Sequence, residues 1–141
     1  MYRLGFSLLL LAFGGCANVS PLGANRPIDS FAIKYSITDN PEQMKIFVSY
    51  KNDKAEPVCF GPENWPSNGI LINDGSLVSL IVGNITLPLG AEQDYCPKCT
   101  TKVPPGSESV AYFKYESFKV PEDLRNADKK LAFRPVGFIC H

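Results

Sequence analysis

The sequence predicts an all-β fold, an antiparallel sandwich of about seven or eight short strands with one short helical turn. Three observations carry that prediction. Apolar and polar residues alternate strictly in several segments of strand length. Gly, Pro, Asn and Asp punctuate the chain between those segments. Beyond residue 28, almost no stretch repeats apolar residues at helical spacing for as long as a helix needs. Short strands with frequent turn signals and few helices favour two packed antiparallel sheets.

Phe31, Ile33, Tyr35 and Ile37 alternate with Ala32, Lys34 and Ser36, the pattern of a strand buried on one face. Asp39-Asn40-Pro41 then turns the chain into a second strand, with Met44, Ile46, Val48 and Tyr50 on one face and Lys45, Ser49 and Lys51 mostly on the other. These two segments are expected to pair as a hairpin or to lie in facing sheets. Val58-Cys59-Phe60 is a short strand, and the glycines and prolines of residues 61–69 forbid its continuation as a central strand. Ile70-Leu71-Ile72 and residues 77–82 flank Asn73-Asp74-Gly75, a hairpin signal because Asp-Gly tolerates positive backbone angles. Gly83-Asn84 turns again into Ile85-Thr86-Leu87, so a three-strand meander is predicted over residues 70–89.

Further on, Pro104-Pro105-Gly106 is a turn and residues 109–115 alternate as a strand. Val120-Pro121-Glu122-Asp123-Leu124-Arg125 has an early proline and acidic residues where a helix start favours them, so one or two helical turns are expected. A final strand is predicted over residues 130–140.

The first sixteen residues have a different character. Arg3 and the N-terminal amine are positive, residues 4–13 form an apolar run too short to cross a bilayer as a helix, and Gly14-Gly15 precede Cys16. This is the layout of an export signal. It resembles the lipobox of bacterial lipoproteins, whose cysteine is acylated and becomes the new N-terminus, although Phe13 replaces the usual leucine. The resemblance implies a cleaved signal over residues 1–15, a lipidated Cys16 with a flexible tether over 16–28, and one domain over 29–141. Asn, Ser, Gly and two prolines without apolar periodicity suit residues 17–27 to the tether. Each buried methylene contributes about 0.8 kcal/mol, so one acyl chain binds reversibly whereas the two or three of such lipoproteins hold firmly. Ala17 after the cysteine, where retained lipoproteins carry aspartate, implies the periplasmic face of the outer membrane. An ordinary secretory signal, leaving Cys16 unmodified, is the alternative.

Removing 15 of the 141 residues leaves 126, enough for one domain with a single core. Loss of Arg3 leaves 13 basic against 14 acidic residues, so no positive field points to nucleic acid. The other four cysteines, Cys59, Cys96, Cys99 and Cys140, are an even set suited to an oxidising compartment. Three pairings are open; the favoured one closes a long loop with Cys59–Cys140 and a local clip with Cys96–Cys99. Thr100 to Pro105 cannot start the helix that a redox CxxC requires, and one close cysteine pair does not make a zinc site.

The single histidine, His141, ends the chain and is read as solvated. Glu63, Asp74, Glu92 and Asp94 lie in loops, where acid-base carboxylates and solvated turn residues look alike. No phosphate-cradling glycine motif occurs, so neither nucleotide nor another cofactor is expected. Asn18-Val19-Ser20 and Asn84-Ile85-Thr86 fit the glycosylation pattern, which bears only on a eukaryotic secretory route. Phe60 and Trp65, the only tryptophan, lie in or beside a proline-bounded loop and are the candidate contacts for a protein partner. The competing reading is that Trp65 folds back to seal the core.

Val58-Cys59-Phe60, the segment Gly69-Ile70-Leu71 and the ending Phe138-Ile139-Cys140 make the body similar to small periplasm-facing lipoproteins with immunoglobulin-like or transthyretin-like sandwiches. Among these it most resembles the immunity lipoproteins that protect against type VI secretion toxins. The resemblance implies a non-enzymatic protein-binding module in the cell envelope, an immunity or inhibitor protein against a toxin or hydrolase. An accessory lipoprotein of an envelope secretion or pilus assembly is the alternative.

Overall fold

The computed structural model describes residues 25–29, 32–72, 78–90 and 100–140. Among these residues ten strands form: β1 (Arg26–Pro27), β2 (Tyr35–Asn40), β3 (Lys45–Lys51), β4 (Val58–Phe60), β5 (Ser79–Val82), β6 (Ile85–Pro88), β7 (Thr101–Val103), β8 (Glu108–Lys114), β9 (Lys129–Ala132) and β10 (Gly137–Ile139). They build three antiparallel sheets, ordered β1-β10-β4-β7, β2-β3-β8 and β6-β5-β9. The fold is all-β and sandwich-like, and among the described residues short 3-10 turns span Glu116–Phe118 and Glu122–Leu124. The second of these is the helical turn expected after Val120; the first carried no sequence signal.

One apolar core serves all three sheets. Val48 and Tyr50 of β3, Phe60 of β4, Leu80 and Val82 of β5, Phe113 of β8 and Leu131 of β9 all bury in it. The alternation of β3 produces this directly: Ile46, Val48 and Tyr50 are buried while the residues between them are not. Buried Asn52 ends that strand and makes every bond its amide allows. Its Nδ2 donates to the carbonyls of Glu56 and Val103 at 2.9 Å each, and its Oδ1 accepts from Lys54 N at 3.0 Å and Tyr50 Oη at 3.3 Å. A fully satisfied amide is what makes a buried polar residue tolerable here.

The predicted hairpin forms, with β2 and β3 paired from Tyr35–Tyr50 to Asn40–Lys45. Three details differ from expectation. The strand starts at Tyr35, and Ile37 is 41% exposed although it faces the same way as its fully buried partner Val48. β2 is the edge of its sheet among the described residues, so alternation sets the direction of Ile37 while the side chain stays partly exposed. Met44 is not in the strand: it closes the turn at φ 51°, its N–H donating to the Pro41 carbonyl at 3.1 Å, and is 47% exposed.

The meander is corrected. β5 and β6 pair across Gly83-Asn84 as expected, but the other neighbour of β5 is β9, and residues 70–72 supply no strand to that sheet. Ile70 instead closes a tight bridge with Ser67. The predicted final strand is also two strands in two sheets, β9 beside β5 and β10 beside β4. Pro135 has no N–H for a ladder, and between the strands Phe133 turns into the core. Pro104-Pro105-Gly106 does turn: Gly106 adopts φ 73° and Ser107 N donates to Pro104 O at 3.1 Å, a geometry that suits glycine. Arg26–Pro27, expected in the tether, instead pair with Ile139 and Phe138 of β10. The Asn73-Asp74-Gly75 turn, Phe31 and the first 24 residues lie outside the described residues.

Candidate functional site

Phe60 and Trp65, predicted as partner contacts, are both core residues. Phe60 is 0% and Trp65 1% exposed, so neither ring offers surface to another protein. The chain turns back after Phe60, with the N–H groups of Asn64 and Trp65 both donating to Gly61 O, and this drops the indole onto Phe60. The rings stack at 4.9 Å between centroids, and Tyr50 meets Phe60 edge-on at 5.1 Å. The indole Nε1 donates to Ser109 Oγ at 3.1 Å, which satisfies its only polar atom. The competing reading of Trp65, as the seal on the core, is therefore correct.

Cys59 and Cys140 form a disulfide across 81 residues, their Cα atoms 5.8 Å apart. Strand pairing brings them together: Cys59 lies opposite Phe138, and Cys140 N donates to Pro57 O at 3.1 Å. Cys16, Cys96, Cys99, His141, Asp74, Glu92 and Asp94 lie outside the described residues. Glu63, the remaining loop carboxylate, accepts from the Asn64 amide at 2.9 Å in an exposed turn. Among the described residues no group of three or more His, Cys, Asp or Glu is placed to hold a metal.

Among the described residues, an open cleft of about 580 Å³ lies where the β2–β3 turn meets the end of β8 and the chain that follows. Lys45, Lys114, Lys119 and Arg125 line it against one carboxylate, Glu116, and Met44 and Val120 add apolar wall. Three structural features place these groups. The antiparallel register sets Lys45 of β3 directly opposite Lys114 of β8. Lys119 caps the Glu116–Phe118 turn at φ 52°, its N–H bonded to Glu116 O. Arg125 follows the second 3-10 turn and pairs with Glu122 at 3.5 Å.

Tyr115 also lines the cleft. Its hydroxyl donates to Asp39, and the Lys129 ammonium lies 4.6 Å from its ring centroid. Burial, reinforced by that hydrogen bond and the Asp39 charge, pushes the phenol far above its ordinary range. It is thus a neutral donor rather than a base near neutral pH. Sequence reading missed this cleft because Lys45 and Lys114 lie far apart in the chain and only strand register joins them. The outward position of Lys45 was the one signal present. No protein-family model, characterised protein or solved structure matches this chain.

Proposed function

We propose that this chain is a lipid-anchored protein of the bacterial cell envelope, acylated on Cys16 and facing the periplasm, and that it works as a non-enzymatic protein-binding module. An immunity or inhibitor role against a secreted toxin or hydrolase is its most concrete form. The observation that supports this most is the Cys59–Cys140 disulfide. A bond of that kind persists in oxidising compartments, to which the Arg3, apolar-run and Cys16 pattern also points. The two signals are independent, one chemical and one positional.

Binding rather than catalysis is favoured by what the described side chains do. Phe60, Trp65 and Phe113 are committed to the core, Tyr115 is held as a neutral donor, and the cleft sets four cations against one carboxylate. Such a lining suits recognition by charge complementarity. The test is mass spectrometry of the native product together with crosslinking in the intact envelope. An acylated chain beginning at Cys16 and one dominant crosslinked protein are the expected results. A chain that retains its first fifteen residues without acylation, or that captures no protein, overturns the proposal.

A further inference from the structure

The outer face of the β2-β3-β8 sheet carries a contrast in its charges. At one end of the β3–β8 ladder Lys51 lies opposite Glu108, a complementary pair; at the other, Lys45 lies opposite Lys114. Both pairs project on the same face, since they occupy alternate positions of the same two strands. Like charges directly opposite one another destabilise a sheet, so the second pair is a cost that the fold does not itself remove. Among the described residues, Lys45, Lys114 and Lys119 make no ion pair. Lys45 rests over the Tyr112 ring at 4.4 Å, which orients the ammonium without neutralising it.

We propose that this cleft receives an acidic segment of a protein partner, its carboxylates set between Lys45, Lys114 and Lys119. This rests on the protein-binding reading and names the chemistry of the partner surface. Three observations select a segment bearing several carboxylates. The unpaired cations are lysines, compact point charges that suit separate carboxylates, whereas the one guanidinium, the fork that would grip a single phosphate, is tied to Glu122. The cleft is concave, which fits an inserted segment better than a flat lipid surface. Met44, 47% exposed, and Val120 give the aliphatic parts of such a segment an apolar wall.

The test titrates the mature chain in neutral detergent with a fluorescent oligoglutamate peptide, with an oligoserine peptide and phosphatidylglycerol vesicles in parallel. Salt-sensitive binding of oligoglutamate alone is expected. Lys114→Glu is expected to weaken it by at least about tenfold, or about 1.4 kcal/mol, while raising the melting temperature, because it turns the like-charge pair into an attractive one. Lys119→Gln, in an exposed turn outside the ladder, is expected to weaken binding without changing stability, and Lys102→Gln on β7 to change neither. The assignment is overturned if oligoglutamate does not bind, if Lys114→Glu leaves binding unchanged or lowers the melting temperature, or if the vesicles bind and the peptide does not. Any of these results alongside a crosslinked partner in the envelope removes the cleft assignment and leaves the binding-module reading intact.

Discussion

The Lys129 ammonium lies 3.3 Å from Asp39 Oδ2, an ion pair that fastens β9 to β2 and so joins two of the three sheets. The lysine side chain is only 1% exposed. Its other protons go to the carbonyls of Arg125 at 2.5 Å and Ala127 at 2.8 Å, which leaves no donor unused. Asp39 also accepts the Tyr115 hydroxyl, so one carboxylate holds a cation and a phenol.

Removing the carboxylate should therefore cost more than removing the lysine. Asp39→Ala strands a buried ammonium and an unpaired phenol, and a loss of about 3 kcal/mol is expected in urea unfolding. Lys129→Met leaves a carboxylate that reaches water, so a smaller loss is expected. The double variant should be less destabilised than the sum of the two, a coupling that equal and additive losses would refute.

Tyr115 makes stability fall at alkaline pH. Burial and the bond to Asp39 raise its folded pKa above its unfolded value. The stabilisation is thus complete below about pH 10 and is lost as pH rises through the raised range, where the unfolded chain releases the proton and the folded one retains it. Tyr35 and Tyr50 are raised by burial as well and act in the same direction. Tyr115→Phe should flatten the decline without abolishing it; an unchanged slope in unfolding free energy against pH would show that the phenol is not held neutral.

Reduction of the disulfide should destabilise the domain strongly. In the chain-entropy model a closure of 81 residues is worth about 4 to 5 kcal/mol. Denaturant unfolding of the oxidised chain and of a Cys59→Ser, Cys140→Ser variant measures this closure alone. Because the bond joins β4 to the residue after β10, hydrogen exchange should accelerate first around Gly137–Ile139. Equal stability of the oxidised chain and that variant would be evidence against a structural role.

Trp65 should behave as a core residue in solution. Its emission is expected to be blue-shifted and poorly quenched by acrylamide in the folded chain, moving to the red on unfolding. Trp65→Ala removes the stack on Phe60 and the bond to Ser109, for an expected cost of about 3 to 5 kcal/mol. Ready quenching in the native state would place the indole at the surface.

Local chemistry was legible at several places where the chain acts on itself over a few residues. Pro104-Pro105-Gly106 turned as read, because only glycine meets the positive φ at its third position without strain. Gly83-Asn84 and the proline-led turn at Glu122–Leu124 were legible for similar reasons. The Ile46, Val48 and Tyr50 alternation located a core strand correctly. Between segments, the β2–β3 and β5–β6 pairings and the Cys59–Cys140 closure were anticipated, whereas the second neighbour of β5 and the division of the last strand between two sheets were not. Ile37 has the same pattern as a buried residue and differs only in being at an edge. Residues 70–72 are adjacent to β5 in sequence, yet Lys129–Ala132, much later in the chain, takes the place beside it.

From the order of residues alone come the all-β class and the turns at Gly83-Asn84, Pro104-Pro105-Gly106 and Glu122–Leu124, since each depends on backbone preferences or on neighbours in the chain; the proposal of an export signal at residues 1–16 rests on that order alone. Tertiary structure decided that Phe60 and Trp65 are interior, that Cys59 meets Cys140, and that Lys45 faces Lys114 at the mouth of a cleft. These depend on register and coverage between distant segments, and their energies exist only once the whole core has closed around them.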